Sequence, residues 1–110
     1  MAGGFELRKS SNGQYSFVLR AGNRQVILTS EQYESRAAAV KGIESVQANC
    51  ANDARYERKV SADGKPFFAL KAANYQVIGM SQMYSGVRSR ERGIASVKAN
   101  GASTVVKDNT

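Results

Sequence analysis

The chain has 110 residues, of which 16 are Lys or Arg and 9 are Asp or Glu, so its formal net charge at pH 7 is +7. The length fits one compact domain, residues 1–110, and 42% hydrophobic with 23% charged residues is typical of a globular protein rather than a disordered one. No apolar run approaches the ~18 residues of a membrane helix, and no signal-peptide core is present. We therefore expect a cytoplasmic protein that makes no membrane contact.

Several residue types on which enzyme chemistry depends are missing. There is no histidine and a single cysteine, Cys50, which excludes His-bound metals, Ser-His or Cys-His pairs and an internal disulfide. Cys50 follows a predicted helix, whose dipole disfavours a thiolate at that end, so we expect an unreactive thiol. Neither a metal-binding carboxylate cluster nor a Gly-rich nucleotide signature occurs. The sequence therefore predicts no catalytic residue, no metal and no cofactor.

Two carboxylates, Glu6 and Glu57, hold matching positions in the two copies. Glu6 and Glu57 could approach each other across a symmetric sheet and act as an acid-base pair. The simpler interpretation is that both are exposed strand residues that pair with nearby Arg or Lys. We prefer the simpler interpretation and expect a protein that is not an enzyme.

The chain consists of two copies of one sequence, aligned without gaps. Roughly nineteen of the forty-seven positions in the first copy are identical in the second, which is far beyond chance. The two aligned segments are Phe5–Ser30 with Tyr56–Ser81 and Gly42–Ala51 with Gly93–Ala102. We therefore predict two repeats within the one domain, residues 5–51 and residues 56–107.

Each repeat begins with three predicted strands. Apolar residues alternate with polar ones on both sides of Asn12-Gly13 and Asp63-Gly64, dipeptides that favour two-residue type I′ hairpin turns. A second turn then leads into a third strand, Gln25–Ser30 in the first copy and Gln76–Ser81 in the second. Such short turns predict antiparallel strands.

A helix and a short strand complete each predicted repeat. The helices are predicted over Arg36–Ala48, with Ser35 as N-cap, and over Val87–Ala99, with a left-handed cap at Asn100-Gly101. A final strand is predicted at Ser103–Lys107. Its counterpart in the first copy, residues 52–56, runs directly into the first strand of the second copy.

Two glycines fall at matching positions inside these helices. Gly42 and Gly93 should each cost ~1 kcal/mol relative to alanine. Because the cost appears twice, we infer that each helix lies too close to the sheet to leave room for a Cβ.

A single repeat of ~50 residues buries too little surface to be secure alone. The simplest assembly is an α+β fold, in which both copies form one antiparallel sheet with the two helices on one face. The duplicated pattern resembles the YegP-like family: a Gly-turned hairpin, an Asn before a Gln-Val-Ile strand, Ser and Tyr after it, and Gly-Ile-x-Ser-Val-x-x-Asn in the helix. The resemblance covers about residues 5–107.

This resemblance implies an architecture but no chemistry. YegP-like proteins are small bacterial proteins of two tandem copies, so the resemblance implies two β-β-β-α-β repeats that form a single sheet. It also implies that the last strand of each repeat is exchanged into the other half. No catalytic residue, cofactor or substrate is implied.

The excess of basic over acidic residues is the sequence feature that suggests a function. Residues 1–51 carry six basic and four acidic residues, and residues 52–110 carry ten and five. If the apolar strand residues face the helices, basic side chains and Phe67 lie on the uncovered face of the sheet, where they could contact phosphates and stack a base. The candidate polyanion-binding residues are Arg8, Arg20, Arg55, Arg58, Lys59, Phe67, Lys71, Arg88 and Arg92.

The sequence is compatible with three functional hypotheses. The first is a non-enzymatic binding or accessory module, a monomer or a homodimer that pairs through Val18, Phe67 and Ile78 on the open face. The second is weak, sequence-independent binding of nucleic acid or another polyanion, such as an acidic protein. The third is an enzyme with a site between the copies, which requires a deep pocket with converging carboxylates.

Overall fold

The structure is a computed structural model that describes residues 3–110. Each repeat supplies three strands and a helix, as predicted. In chain order the elements are β1 Gly4–Lys9, β2 Tyr15–Arg20, β3 Val26–Ser30, α1 Arg36–Asn49, β4 Tyr56–Val60, β5 Pro66–Lys71, β6 Val77–Met80, α2 Val87–Asn100 and β7 Val106–Asn109. A single turn of 3-10 helix, Asp53–Arg55, precedes β4.

All seven strands form one sheet in the order β4-β5-β6-β3-β2-β1-β7. The α+β class, the tandem repeats and the single sheet are confirmed. The sheet is mixed rather than antiparallel, because β7 runs parallel to β1, with Phe5 opposite Val106 and Leu7 opposite Asp108. These two strands come from opposite ends of the chain, so no hairpin turn imposes an antiparallel direction on them.

The last strand is exchanged between repeats in one direction only. β7 ends the second repeat and lies beside β1 of the first. The matching segment of the first repeat, residues 55–58, is the end of the 3-10 turn and the start of β4 at the far edge, so it adds no strand of its own. The exchange expected of the first repeat is therefore wrong, and β7 itself lies a few residues later than predicted.

The pairing of β3 with β6 joins the two repeats at the centre of the sheet. Thr29 pairs with Met80, which is its own counterpart in the second copy of the sequence. The axis that relates the repeats therefore passes between these two residues. Equivalent parts of the two copies lie at equal distances on either side of it.

The first hairpin turn of each repeat differs from the predicted type I′ turn. Gly13 and Gly64 have positive φ angles of 84° and 85°, but Asn12 and Asp63 do not share them. The Asn12 side chain instead accepts a hydrogen bond from the Gln14 N–H at 3.1 Å. This is the longer hairpin loop in which a turn is closed by one left-handed residue.

One hydrophobic core, made by both helices and one face of the sheet, spans both repeats. Ile78, expected on the open face, lies in this core, because the register between β5 and β6 shifts after Leu70 and turns an extra residue toward the helices. The largest fully buried side chains are Phe5, Phe17, Phe68, Leu7, Leu19, Leu28, Leu70, Ile94, Val46, Val97 and Cys50.

The helix ends agree with the sequence prediction at one end and differ at the other. The Ser35 hydroxyl accepts the Ala38 N–H at 3.1 Å, which confirms the N-cap of α1. At the end of α2, Gly101 has a φ of −68° and is not left-handed. It is needed for packing instead, since a Cβ there would lie 2.7 Å from the Cβ of Cys50.

Candidate functional site

The open face of the sheet carries five of the nine candidate polyanion-binding residues, in two groups. Arg8 and Arg20 lie on β1 and β2, whereas Lys59, Phe67 and Lys71 lie on β4 and β5. The strands β6 and β3 separate the two groups. The open face is therefore basic at its two ends and not across its centre.

Each basic group is partly neutralised by one carboxylate, Glu6 on β1 or Glu57 on β4. Glu6 lies 2.9 Å from Arg8 and 3.3 Å from Arg20, and hydrogen bonds from Arg8 and then Arg20 hold the pKa of Glu6 below its usual range. At the other end, Glu57 lies 3.2 Å from Lys71 and 3.5 Å from Lys59. The two glutamates therefore lie at opposite ends of the sheet and form no acid-base pair.

Phe67 does not offer a surface for base stacking. Its side chain is 7% exposed, and the Lys59 ammonium lies 5.9 Å from the centre of its ring. Because the residue is buried and the Lys59 ammonium lies over the ring, the aromatic face that stacking requires is not exposed.

The four remaining candidate residues lie on the helix side of β4, in the 3-10 turn before it, or on α2. Arg58 bridges Glu91 at 2.9 Å and Asp53 at 3.1 Å, and the pKa of Asp53 falls to about 2 because Arg58 and then Lys98 donate hydrogen bonds to it. Arg55 donates to the Asn49 side chain at 3.1 Å. Within residues 3–110, no carboxylate forms an ion pair with Arg88 or Arg92. The nine candidate residues thus form no single patch.

The outer edge of β4 presents free backbone groups. Pro66 lies opposite Val60 and has no N–H, and the carbonyl of Pro66 accepts the Tyr84 N–H at 2.8 Å. Pairing with β5 is therefore made by Glu57 and Lys59, the alternate residues of β4. The N–H and C=O groups of Arg58 and the N–H of Val60 point outward.

No strand of residues 3–110 lies against that edge. The Tyr56 N–H is bonded to the Asp53 carbonyl within the 3-10 turn. Beyond it, β4 is the end strand of the sheet, and Val60 is 63% exposed. The edge is open from Tyr56 C=O to Val60 N–H.

Two clefts, related by the repeat, lie between each helix and the second hairpin turn of the other copy. The cleft beside α1 has a volume of about 220 Å³ and the cleft beside α2 about 340 Å³. We name them the α1 cleft and the α2 cleft. The α1 cleft is lined by Glu31, Tyr33, Ala38, Lys41, Gly42, Ser45, Ala72, Gln76, Val77 and Ile78. The α2 cleft is lined by Ala21, Asn23, Gln25, Ile27, Gln82, Tyr84, Ser89, Arg92, Gly93 and Ser96.

A tyrosine forms one wall of each cleft and rests against the helix glycine. Tyr33 stacks on Phe17 with ring centres 6.2 Å apart, and a Cβ on Gly42 would lie 2.5 Å from the Tyr33 hydroxyl. In the other repeat, the Tyr84 hydroxyl lies too close to Gly93 for a Cβ. The close approach inferred from the paired glycines is therefore present. A tyrosine side chain makes it at both glycines, and at Gly42 the ring of Phe17 on β2 also lies within 2.9 Å of the Cβ position.

Neither the clefts nor the open edge was identified from the sequence. The repeat of Tyr33 and Gly42 at Tyr84 and Gly93 was the available signal, because identical residues in both copies outside the core periodicity mark a shared packing feature. The open edge had no such signal, since it depends on which strand β7 pairs with.

Within residues 3–110, no three His, Cys, Asp or Glu side chains converge as metal ligands would. In the same range, neither helix has the length and apolarity needed to cross a bilayer.

Known proteins provide a family for this architecture. The profile of the "Domain of unknown function (DUF1508)" matches residues 10–57 and again residues 61–108. The UPF0339 protein YegP of Shigella flexneri is 62% identical over 110 residues, covering 100% of both chains, and that of Escherichia coli (strain K12) is 61% identical over the same length.

Two solved structures share the fold. The solution NMR structure of yegP from E. coli, described as a protein of unknown function, superposes with a TM-score of 0.95 at 61% identity, covering 100% of this chain and 95% of that one. A UPF0339 protein of Shewanella oneidensis gives 0.93 at 56% identity, covering 98% and 92%. The chain therefore belongs to the DUF1508 family of UPF0339 YegP-like proteins, and it carries the family's domain in two tandem copies.

Proposed function

We propose that this protein is a non-enzymatic binding module that captures an extended segment of a partner protein along the open edge of β4. The observation that carries the proposal is the empty strand position beside β4, which the repeat symmetry relates to the position that β7 fills beside β1. We further propose that the two repeats act as one domain, joined through β3 and β6, and that the module works in the cytoplasm.

The β1 edge shows how a strand is held in this position. The Phe5 N–H donates to the Val105 carbonyl at 2.9 Å, and four residues of β7 follow β1 in parallel register. Asp108 lies opposite Leu7 and reaches Arg36 at 2.5 Å. The β1 edge is thus occupied by a short strand through backbone hydrogen bonds and one acidic side chain, which is the mode of strand addition.

The charges around β4 favour an acidic side chain on the incoming strand. Arg58 is the counterpart of Leu7, so the residue that takes the place of Asp108 would lie beside it. Five basic and three acidic side chains form the ion pairs around β4. The surplus of positive charge complements a carboxylate.

The same charges oppose pairing of β4 with a second copy of itself. In a twofold antiparallel pair of β4 strands, the residues whose N–H and C=O groups point outward must pair with one another. Three registers satisfy this condition and pair at least three residues of β4. These registers place Glu57, Arg58 or Lys59 opposite its own copy, and like charges directly opposite each other are destabilising. The edge is therefore protected from self-association and open to a different strand.

The test uses a peptide with the sequence of residues 103–110 added to ¹⁵N-labelled full-length protein. We expect chemical-shift changes at the Arg58 and Val60 amides, and weaker binding of the same peptide carrying Asp108→Lys. Two results would overturn the proposal. One is chemical-shift changes at Phe5 and Leu7 alone, which would show that the peptide displaces β7, and the other is no chemical-shift change at all.

Val60→Pro provides a matched variant. Proline removes the outward N–H of Val60 but no bond to β5, because Val60 pairs with Pro66 without exchanging hydrogen bonds. We expect Val60→Pro to abolish peptide binding and Val60→Thr to retain it, with both variants folded by circular dichroism. Equal binding by the two variants contradicts strand addition.

A second candidate function, weak polyanion binding, is favoured by Arg88 and Arg92. They lie one turn apart on α2, and no carboxylate of residues 3–110 pairs with them. We propose that such binding depends on charge alone, with Arg55 and the surplus on Arg8, Arg20, Arg58, Lys59 and Lys71 contributing and Phe67 contributing no stacking. Affinity for a labelled single-stranded oligonucleotide should fall steeply between about 50 and 200 mM salt and fall further in Arg88→Gln/Arg92→Gln. Salt-independent affinity would rule it out.

A further inference from the structure

The two clefts can be compared position by position, because nine lining residues of one occupy the matching repeat positions of nine lining residues of the other. Six of the nine are identical in both clefts, among them Tyr33/Tyr84, Gly42/Gly93 and Ser45/Ser96. The frames of the two clefts are therefore alike, and their differences can be attributed to three positions.

All three differences make the α2 cleft better suited to an anion than the α1 cleft. Glu31 of the α1 cleft is replaced by Gln82, which removes a carboxylate. Ala38 is replaced by Ser89, which adds a hydroxyl. The α1 cleft thus has one acidic and one basic residue, whereas the α2 cleft has a basic residue and no acidic one.

The basic residue itself also differs. Lys41 in the α1 cleft corresponds to Arg92 in the α2 cleft. A guanidinium presents several N–H groups in a planar fork that matches the oxygens of a carboxylate or phosphate, while an ammonium acts as a point charge. With no ion pair to Arg92 from residues 3–110, the guanidinium is available to a ligand.

We propose that the α2 cleft binds the phosphate group of a small molecule, with Arg92 as the charged anchor and the hydroxyls of Tyr84, Ser89 and Ser96 as further donors. The donor count favours a tetrahedral anion, because one guanidinium and three hydroxyls supply more N–H and O–H groups than the two oxygens of a carboxylate can accept. The amides of Gln25 and Gln82 remain for the rest of the molecule.

The α1 cleft, which shares the same frame, excludes such a ligand. The pKa of Tyr33 is raised, first by burial and second by the negative charge of the Glu31 carboxylate. The Glu31 charge therefore acts at the tyrosine wall of the α1 cleft. In the α2 cleft the neutral Gln82 side chain interacts with Tyr84 instead. One phosphate site per chain is therefore expected, and the α1 cleft is its built-in control.

The test is a titration of ¹⁵N-labelled full-length protein with inorganic phosphate at constant ionic strength. Saturating shifts are expected at Ser89, Arg92, Gly93 and Ser96 and not at the matching residues Ala38, Lys41, Gly42 and Ser45. Acetate should bind at least tenfold more weakly. Equal shifts in both clefts, no saturable shifts, or equal binding of acetate would overturn the proposal.

Two variants separate a built site from general basic charge. Gln82→Glu places in the α2 cleft the carboxylate that the α1 cleft has, and should weaken phosphate binding at least tenfold. The converse change, Glu31→Gln with Ala38→Ser and Lys41→Arg, should create a second site in the α1 cleft and raise the stoichiometry from one to two. A variant pair that leaves affinity and stoichiometry unchanged contradicts the assignment.

Discussion

At the scale of single residues, the paired helix glycines show the limits of what the sequence can indicate. Their repetition pointed correctly to a close approach, because a costly residue that appears twice has a packing reason. The identity of the partner could not be read from the chain, since Tyr33 precedes α1 and turns back over it through the stack on Phe17.

The contacts at the two glycines differ, so alanine should affect them unequally. At Gly42 a Cβ would lie 2.9 Å from the ring of Phe17, a fully buried core residue, whereas at Gly93 the close atoms all belong to Tyr84. Overpacking costs about 1–3 kcal/mol, against a gain in helix propensity of about 1 kcal/mol. We expect Gly42→Ala to lower the free energy of unfolding by about 1–2 kcal/mol and Gly93→Ala by less, as urea titration would show. A Gly42→Ala variant more stable than the parent would refute this.

At the scale of elements, the strands and helices were predictable where local patterning decides them. The Ser35 cap and the alternation around the hairpins depend on neighbours in the sequence, and both were found in the structure. The direction of β7 and the state of the β4 edge were not predictable, because they depend on contacts between opposite ends of the chain. The Glu6 and Glu57 pairings followed the simpler interpretation of two separate surface ion pairs.

Ile78 illustrates a second limit at this scale. A strict period of two placed it on the open face, but the register shift beside Leu70 turned it into the core. The same shift occurs in the first repeat between Leu19 and Arg20. A bulge that is repeated in both copies is a feature of the fold, and it leaves no mark in hydrophobic periodicity.

At the scale of the whole molecule, acid should weaken the fold. The pKa of Asp53 and that of Asp108 fall from 3.8 to about 2, the first through Arg58 and the second chiefly through Thr110. Because these pKa values are depressed in the folded state, their stabilisation is present above about pH 4 and is lost as the pH falls toward 2.

The urea midpoint measured at pH 7, 4 and 2.5 would show this loss. We expect little change between the first two values and a fall below pH 4, and a smaller fall in Asp53→Asn. A midpoint that stays constant down to pH 2.5 in the parent chain would contradict it.

Two equivalent strand edges differ in this protein, since β7 lies beside β1 whereas β4 is an edge strand, which we propose receives a partner. Amide hydrogen exchange tests it directly at a matched pair of residues, Leu7 on β1 and Arg58 on β4. We expect the Leu7 amide to be protected, since β7 lies against it, and the Arg58 amide to exchange at close to the unprotected rate, with Val60 alike. Protection of Arg58 equal to that of Leu7 would show that the β4 edge is already occupied, and the account would be wrong.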